Sequence, residues 1–441
     1  MTEPVRRAGV FALLCTLSLA VPLFGPEIAA ALAAVVLLGA VAVTDGPIFD
    51  LLAYPDDYED GRLYGLIAFV LAGVALGLLA VQSSMTSAIF VGTVFLIGYG
   101  NFGERLVRTR SDSDVVHAAG FCLIATVAAV VGQAATVAVT GGSIPSALPT
   151  ILFLAASGAL LAALLRDVLL LYDDPVVMLS VGLLLWLLAE LDPALGAAEI
   201  AIALAITAAL GYASYALETA SIAGMLTGVL LGLLTIVLGG YGWFVVLISF
   251  FAIGGLSTKF RYDRKEDLGV AEDNNGARGT GNVLGNAAVG LVAVLGYAAS
   301  EAAFLPIDAE LFLFAFAGSV ATAMSDTLSS EIGSVFEQPR LITTLEPVEP
   351  GTDGGVTWQG EIAGVVGAAI VAVISYALFA EVGVVGAAII VTAGFVGMTV
   401  DSLLGATLEG PLLGNQGVNF LATLSGAIIC ALLGLSFAIL G

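Results

Sequence analysis

The sequence predicts an all-α fold: a polytopic integral membrane helical bundle of about 15 transmembrane helices. Three observations carry this. Of 441 residues, 59% are hydrophobic and only 11% are charged, against about 25% charged in an ordinary soluble domain. The mean hydropathy is +1.06 over the whole chain, which calls for a bilayer as solvent. The apolar runs are continuous rather than alternating, so a transmembrane β-barrel is excluded. The 54 glycines suit close helix approach in lipid, where small residues bring backbones together.

The first apolar run, 8–24, follows Arg6 and Arg7. Leu, Val and Phe continue up to Pro22 with no small-x-small cleavage pattern, so it reads as a first membrane helix rather than a removable signal. Runs at 28–43, 63–81, 84–100, 116–140, 150–170 and 175–190 come next. Their loops are short or acidic, as in Asp56-Asp57-Tyr58-Glu59-Asp60. Runs at 196–214, 221–238, 242–258, 281–303, 310–326, 361–380, 384–405 and 417–440 complete the series. Each is near the roughly 20 residues that cross the hydrocarbon. With Arg6 and Arg7 on the cytoplasmic side, strict alternation puts all 13 Lys and Arg on that side. That is the positive-inside pattern, with the C-terminus outside and the cell membrane as location.

The formal net charge is −23, from 36 acids against 13 bases. An acidic, hydrated surface of the kind found in extreme halophiles is the plain reading, and a cation-binding surface is the alternative. No basic patch exists to release counterions from a phosphate backbone, which excludes nucleic acid as a partner. Cys15, Cys122 and Cys430 lie inside apolar runs without metal-ligand spacing and read as buried small hydrophobes. With His117 as its one histidine, the chain has no Ser-His-Asp machinery and no His-based zinc site.

The loops divide the chain into a region 1–190, of about six or seven helices and without an assigned role, and a region 191–441 that holds the candidate site. Polar residues in the second region gather at helix ends facing one compartment, the pattern of a site at a membrane surface. The first block runs from Lys259, Arg261, Arg264 and Lys265 to Arg278, Asn282 and Asn286. A helix starting near Arg278 places Arg278, Asn282 and Asn286 on one stripe, and an Arg with free amides at a helix start suits an anion. A positive-inside anchor with glycine-lined packing is the other reading. The second block is Ser325-Asp326-Thr327 with Ser329-Ser330-Glu331. A carboxylate beside hydroxyls at a cytoplasmic helix end suits Mg²⁺, which takes one or two carboxylates plus nucleotide phosphates; a capping acid is the alternative. The third is the loop Gly351 to Gly360, where Gly354 and Gly355 can present a backbone anion nest and Trp358 can stack on a base. The fourth is Asp401-Ser402 through Glu409, and the fifth is Asn415-Gln416 with Asn419. Two carboxylates and two amides on one face fit a metal-nucleotide, and fit a transporter's coupling ion equally.

Taken together, these five blocks resemble the phytyl-phosphate kinase family, which includes a plant tocopherol-pathway enzyme and many archaeal and bacterial membrane proteins. The resemblance rests on Asp326-Thr327, Ser330-Glu331-Ile332-Gly333, Gly354-Gly355-Val356-Thr357, Asp401 to Ala406 and Val418-Asn419, and covers roughly 200–441. A more distant similarity links Asp326-Thr327 and Val356-Thr357-Trp358-Gln359-Gly360 to CTP-dependent polyprenol kinases and phosphatidate cytidylyltransferases. Val356 stands where that pattern has Lys, so a phosphate-contacting cation has to come from Arg278, Lys259 or Lys265. The resemblance implies CTP-dependent phosphoryl transfer to an isoprenyl monophosphate, with Mg²⁺ as cofactor, CTP as donor, and an isoprenoid lipid in the bilayer as acceptor. It implies Asp326 and Asp401 on the metal with Glu331 in support, Arg278, Asn282 and Asn286 on phosphate oxygens, and Thr357 and Asn419 on nucleotide or acceptor. A prenol kinase or lipid cytidylyltransferase is the neighbouring alternative. A secondary transporter is the alternative from another class, although its site belongs near the membrane midplane.

Overall fold

The structure is a computed structural model that describes residues 3–168, 174–193, 196–269, 279–336, 338–410 and 412–437. Among them the regular structure is helical apart from one two-stranded ladder. The chain divides into two compact units, Met1–Leu204 and Ala205–Gly441.

The first unit opens with α1 (Glu3–Cys15), a 3₁₀ turn (Thr16–Leu19) and α2 (Ala20–Phe24). After these come α3 (Pro26–Ala42), α4 (Gly46–Leu52), α5 (Asp57–Asp60), α6 (Tyr64–Gln82) and α7 (Ser87–Arg108). The unit closes with α8 (Asp114–Val139), α9 (Ile144–Val168), α10 (Asp174–Glu190) and the start of α11 (Ala197–Ala216). A cluster of polar side chains on α7, α9 and α10 is paired. Glu104 receives Arg108 at 2.8 Å and Arg166 at 2.9 Å. Asn101 donates to Asp174 at 2.7 Å and accepts from Arg166.

The second unit holds the end of α11, then α12 (Ile222–Gly239), α13 (Tyr241–Ser257), α14 (Tyr262–Asp267) and α15 (Thr280–Glu301). It continues with α16 (Ala309–Gly333), β1 (Arg340–Leu341), β2 (Gly355–Val356), α17 (Trp358–Leu378), α18 (Val384–Leu408) and α19 (Asn415–Ser436). The axis of this unit is α16, which packs against α13, α15, α17, α18 and α19. Its middle is built of small residues, from Gly318 to Ser325, so neighbouring backbones come close. A Cβ on Gly367 of α17 would lie 2.9 Å from the Met324 carbonyl, and one on Gly318 would lie 2.6 Å from the Gly426 carbonyl of α19. Two buried hydroxyls of this stretch are absorbed by helix carbonyls: Thr322 donates to Gly318 at 2.9 Å, and Ser325 donates across to Gly364 at 2.8 Å. This is the small-residue packing expected where lipid supplies no hydrophobic drive between helices.

Among the described residues, eleven helices are long and apolar enough to cross a membrane, or twelve if the bent pair α3 and α4 counts as one span. The chain is therefore a multi-pass integral membrane protein. This number is below the fifteen or so crossings expected from the apolar runs, and the difference has physical causes. Both α10 and α13 have 17 residues, about 26 Å of helix against a hydrocarbon core of about 30 Å. The second half of α7 carries Asn101, Glu104, Arg105 and Arg108, which interrupts its apolar run. The bend between α3 and α4 is 111°.

Candidate functional site

Five helices of the second unit bring their ends to one cavity of about 260 Å³. The first turns of α15 and α19 and the cap of α17 contribute Asn282, Asn286, Asn415, Asn419 and Thr357. The last turns of α16 and α18 contribute Asp326, Glu331 and Asp401. The segment between α16 and α17 roofs the cavity. Its strands pair antiparallel, Arg340 with Val356 and Leu341 with Gly355. Three helix N-termini thus face the same space, and their partial positive charge opposes the carboxylates there.

The lining is acidic. Asp326, Glu331, Asp353, Asp401 and Glu409 reach it, and among the described residues no Lys or Arg lines it. Asp326 and Asp401 lie within reach of each other's charge. One carboxylate oxygen of Asp401, Oδ2, is buried without a hydrogen-bond partner. Glu331 is held differently: it forms an ion pair with Lys265 of α14, a side chain only 2% exposed. The Lys265 ammonium also donates to the carbonyls of Ser257 at 3.3 Å and Thr258 at 3.2 Å. Partial burial first, then the nearby Asp353 carboxylate, raises the pKa of Glu409 above the usual glutamate range.

The amides are set on α15 and α19. Asn286 is buried, and its Nδ2 donates to the Asn282 carbonyl at 3.0 Å. The Oδ1 of Asn282 is buried without a partner. Asn419 is buried one turn into α19. In the roof, Gly354 has φ +74°, and a Cβ there would lie 2.6 Å from the Ser402 carbonyl. Only glycine lets the loop sit directly on α18.

The sequence expectations now have positions. The structure gathers Asp326, Asp401, Glu331, Asn282, Asn286, Gly354, Gly355, Thr357 and Asn419 around one cavity. Some of their polar groups are already engaged. The Thr357 hydroxyl caps α17 by accepting from Gly360 N at 3.1 Å, and it donates to the Gly333 carbonyl at 3.5 Å. The Gly355 N–H donates within the loop to Thr352 at 2.9 Å, which removes one donor from the expected nest. Lys259 is not in the lining, and its Nζ donates to the Glu218 carbonyl at 3.4 Å. Arg278 lies outside the described residues. The Lys265–Glu331 pair joins residues 66 apart, and no local pattern announced it.

A divalent ion of the magnesium type needs one or two carboxylates, with phosphates and water for the rest. Asp326 and Asp401, with the orphaned Oδ2, fit that requirement. Glu331 does not join them, because Lys265 neutralises it. Among the described residues no group of three or more Asp, Glu, His and Cys forms a protein-only metal cage.

Apolar spans meeting in a polar, carboxylate-bearing cavity at their common end define an integral membrane protein with a site at the ends of its helices. Residues 205–427 match the family described as integral membrane protein DUF92, and the chain belongs to that family. The family resemblance carried by the five polar blocks is thus borne out. The chain is similar to the uncharacterized membrane protein MJ0933 of Methanocaldococcus jannaschii, 35% identical over 48% of this chain and 84% of that protein. It is similar to protein VTE6, chloroplastic, of Arabidopsis thaliana, 33% identical over 48% of this chain and 65% of that protein. It is also similar to protein PGR of Arabidopsis thaliana, 27% identical over 50% of this chain and 91% of that protein. No solved structure matches the chain.

Proposed function

We propose that this protein is a membrane-embedded kinase that transfers a phosphoryl group from CTP to an isoprenyl monophosphate, of the phytyl or geranylgeranyl type, giving the diphosphate. The observation that carries the reading is the approach of Asp326 and Asp401 inside a polar cavity at the ends of apolar spans. The resemblance of the five blocks to the phytyl-phosphate kinase family supports the same reaction. A lipid phosphate reaches such a site from the bilayer while its tail stays in hydrocarbon, and a nucleotide reaches it from water.

The cavity is too acidic to accept a nucleotide triphosphate unaided, since five carboxylates reach it, of which Glu331 is paired with Lys265. Asp326 and Asp401 would hold magnesium, which when bound would offset the negative charge of the donor phosphates. Asn282, Asn286 and Asn419 donate to phosphate oxygens, the last two from buried positions. Arg278, just before α15, adds the cation that Val356 does not provide. Lys265 keeps Glu331 and the end of α16 in place. The acceptor phosphate, already an anion, forms the new P–O bond to the γ-phosphorus, and the bond from that phosphorus to the β-phosphate oxygen breaks to release CDP. No general base is required. Retaining the positive-inside assignment, the cavity faces the cytoplasm of a cell membrane.

The test is phosphoryl transfer from labelled CTP to geranylgeranyl monophosphate in membranes at high salt, with wild type and Asp326→Asn. The reading expects diphosphate from the wild type and none above background from the variant. A folded wild type that phosphorylates neither isoprenyl phosphates nor prenols refutes it.

A further inference from the structure

A second void of the same unit lies among α11, α12, α13 and α15, with a volume of about 80 Å³. Phe244, Ile248, Phe251 and Gly255 line it from α13, and Met225 and Gly228 line it from α12. The four positions on α13 fall at i, i+4, i+7 and i+11, one face of the helix over about 16 Å. The stripe has a polar end. Gly255 lies two residues before Ser257, whose carbonyl accepts from Lys265, and Lys265 pairs with Glu331 in the wall of the polar cavity. Independently, Val283 of α15 lines the apolar void while Asn282 and Asn286 of the same turns line the polar one. The two voids therefore share α15, and Lys265 ties the end of α13 to Glu331 in the wall of the polar one.

Two of the glycines here, Gly228 and Gly255, behave unlike those around α16. A Cβ on Gly228 would meet nothing within 4 Å, and one on Gly255 would meet only the Thr219 Cβ at 3.7 Å. Gly367 brings its helix to about van der Waals contact with a neighbouring carbonyl, whereas Gly228 and Gly255 leave space unfilled. Met225, Gly228, Ile248 and Phe251 are half-exposed, so the space opens at the surface of the spans, where a chain from the bilayer can enter between helices. Aromatic, thioether and aliphatic walls suit a branched hydrocarbon.

We infer that this cleft holds the head-proximal part of the isoprenoid tail of a lipid phosphate whose phosphate occupies the polar cavity. The inference rests on the kinase reading for the identity of the acceptor. At about half the volume of the roughly 150 Å³ cavity that takes benzene, the cleft holds only the carbons next to the phosphate and leaves the rest of the tail to the bilayer. Selectivity then falls on the methyl-branched first units rather than on total length.

The test uses the full chain in membranes and a geranylgeranyl monophosphate carrying a diazirine on its first isoprene unit. Photolabel is expected on peptides of α12 and α13. Unlabelled geranylgeranyl monophosphate should compete and phosphatidylglycerol should not. Gly228→Leu and, separately, Gly255→Leu should cut labelling and raise KM for the lipid about tenfold, as expected for one leucine-sized obstruction, with KM for CTP unchanged. Thermal melting selects the variant that folds. Label that maps elsewhere, label unchanged in both folded variants, or label displaced equally by phosphatidylglycerol overturns the cleft. Specific label without phosphoryl transfer would end the kinase reading and leave the cleft as an isoprenyl-phosphate site.

Discussion

Asp401→Asn separates a metal-binding carboxylate from a structural one, because the two roles predict opposite signs. Asp401 and Asp326 interact in the same cavity, and Oδ2 of Asp401 has no partner. Two full charges in one site would repel by about 4 kcal/mol at a separation of about 4 Å and an effective dielectric constant of 20, a cost that a hydrogen bond between the two carboxyls partly relieves. Water in the cavity and the three facing helix N-termini leave about 1–2 kcal/mol of that cost. Asparagine keeps the shape, removes one charge and can donate to Asp326. Without magnesium, Asp401→Asn should therefore melt higher than wild type, by about 2–8 °C at about 2–4 °C per kcal/mol for a unit of this size. Magnesium at a hundred times its Kd should stabilise the wild type by about 2.7 kcal/mol and the variant hardly at all. Transfer activity should fall about a hundredfold or more. The assay is thermal melting in detergent with and without magnesium, beside the transfer assay. A variant that melts lower than wild type and keeps the full magnesium shift would refute the reasoning.

Other expectations follow from the same geometry. Lys265→Met leaves Glu331 uncompensated and should cost about 3–5 kcal/mol, while the double variant Lys265→Met/Glu331→Gln should regain most of it, read by unfolding midpoints. Gly318→Ala puts a Cβ 2.6 Å from the Gly426 carbonyl and should cost about 1–3 kcal/mol by parting α16 from α19, seen as a lower melting temperature. Glu409 has a raised folded pKa. Its neutral form is favoured in the fold, so stability is lost as pH rises from about 4.3, the unfolded value, through the folded one. Glu409→Gln should therefore melt progressively higher relative to wild type across that rise, and a constant difference would reject the linkage. In the first unit, Arg166→Met leaves Glu104 with Arg108 alone and takes the donor from Asn101 Oδ1, and should destabilise by about 1–3 kcal/mol, measured by chemical unfolding.

Much of this architecture is written locally. Continuous apolar runs located the helices because a bilayer admits only helices and closed barrels, and a barrel strand would alternate. The number of crossings was less legible, since length and charge decide whether a helix spans, and α7, α10 and α13 sit near those limits. Asp326, Asp401, Asn282, Asn286 and Asn419 were readable because a polar residue is costly inside an apolar run and needs a reason. The engagement of Thr357 by Gly360 and Gly333, and of Glu331 by Lys265, was not readable. Such pairings depend on which helix ends meet, and sequence spacing does not carry that information. Lys259 shows the converse: a basic residue in the right block whose side chain turns to the Glu218 carbonyl instead.

The Lys265–Glu331 pair also has a consequence in time. Synthesis places Lys265 in the nascent chain 66 residues before its carboxylate, a lag of roughly 3–13 s at about 5–20 residues per second. Through that interval the lysine is a hydrated charge flanking a newly inserted helix, the kind of charge that fixes which way a helix is threaded. Only when α16 arrives does the same ammonium leave water and become an internal tie. One side chain thus serves first as an instruction to the insertion machinery and later as the latch that closes the finished unit.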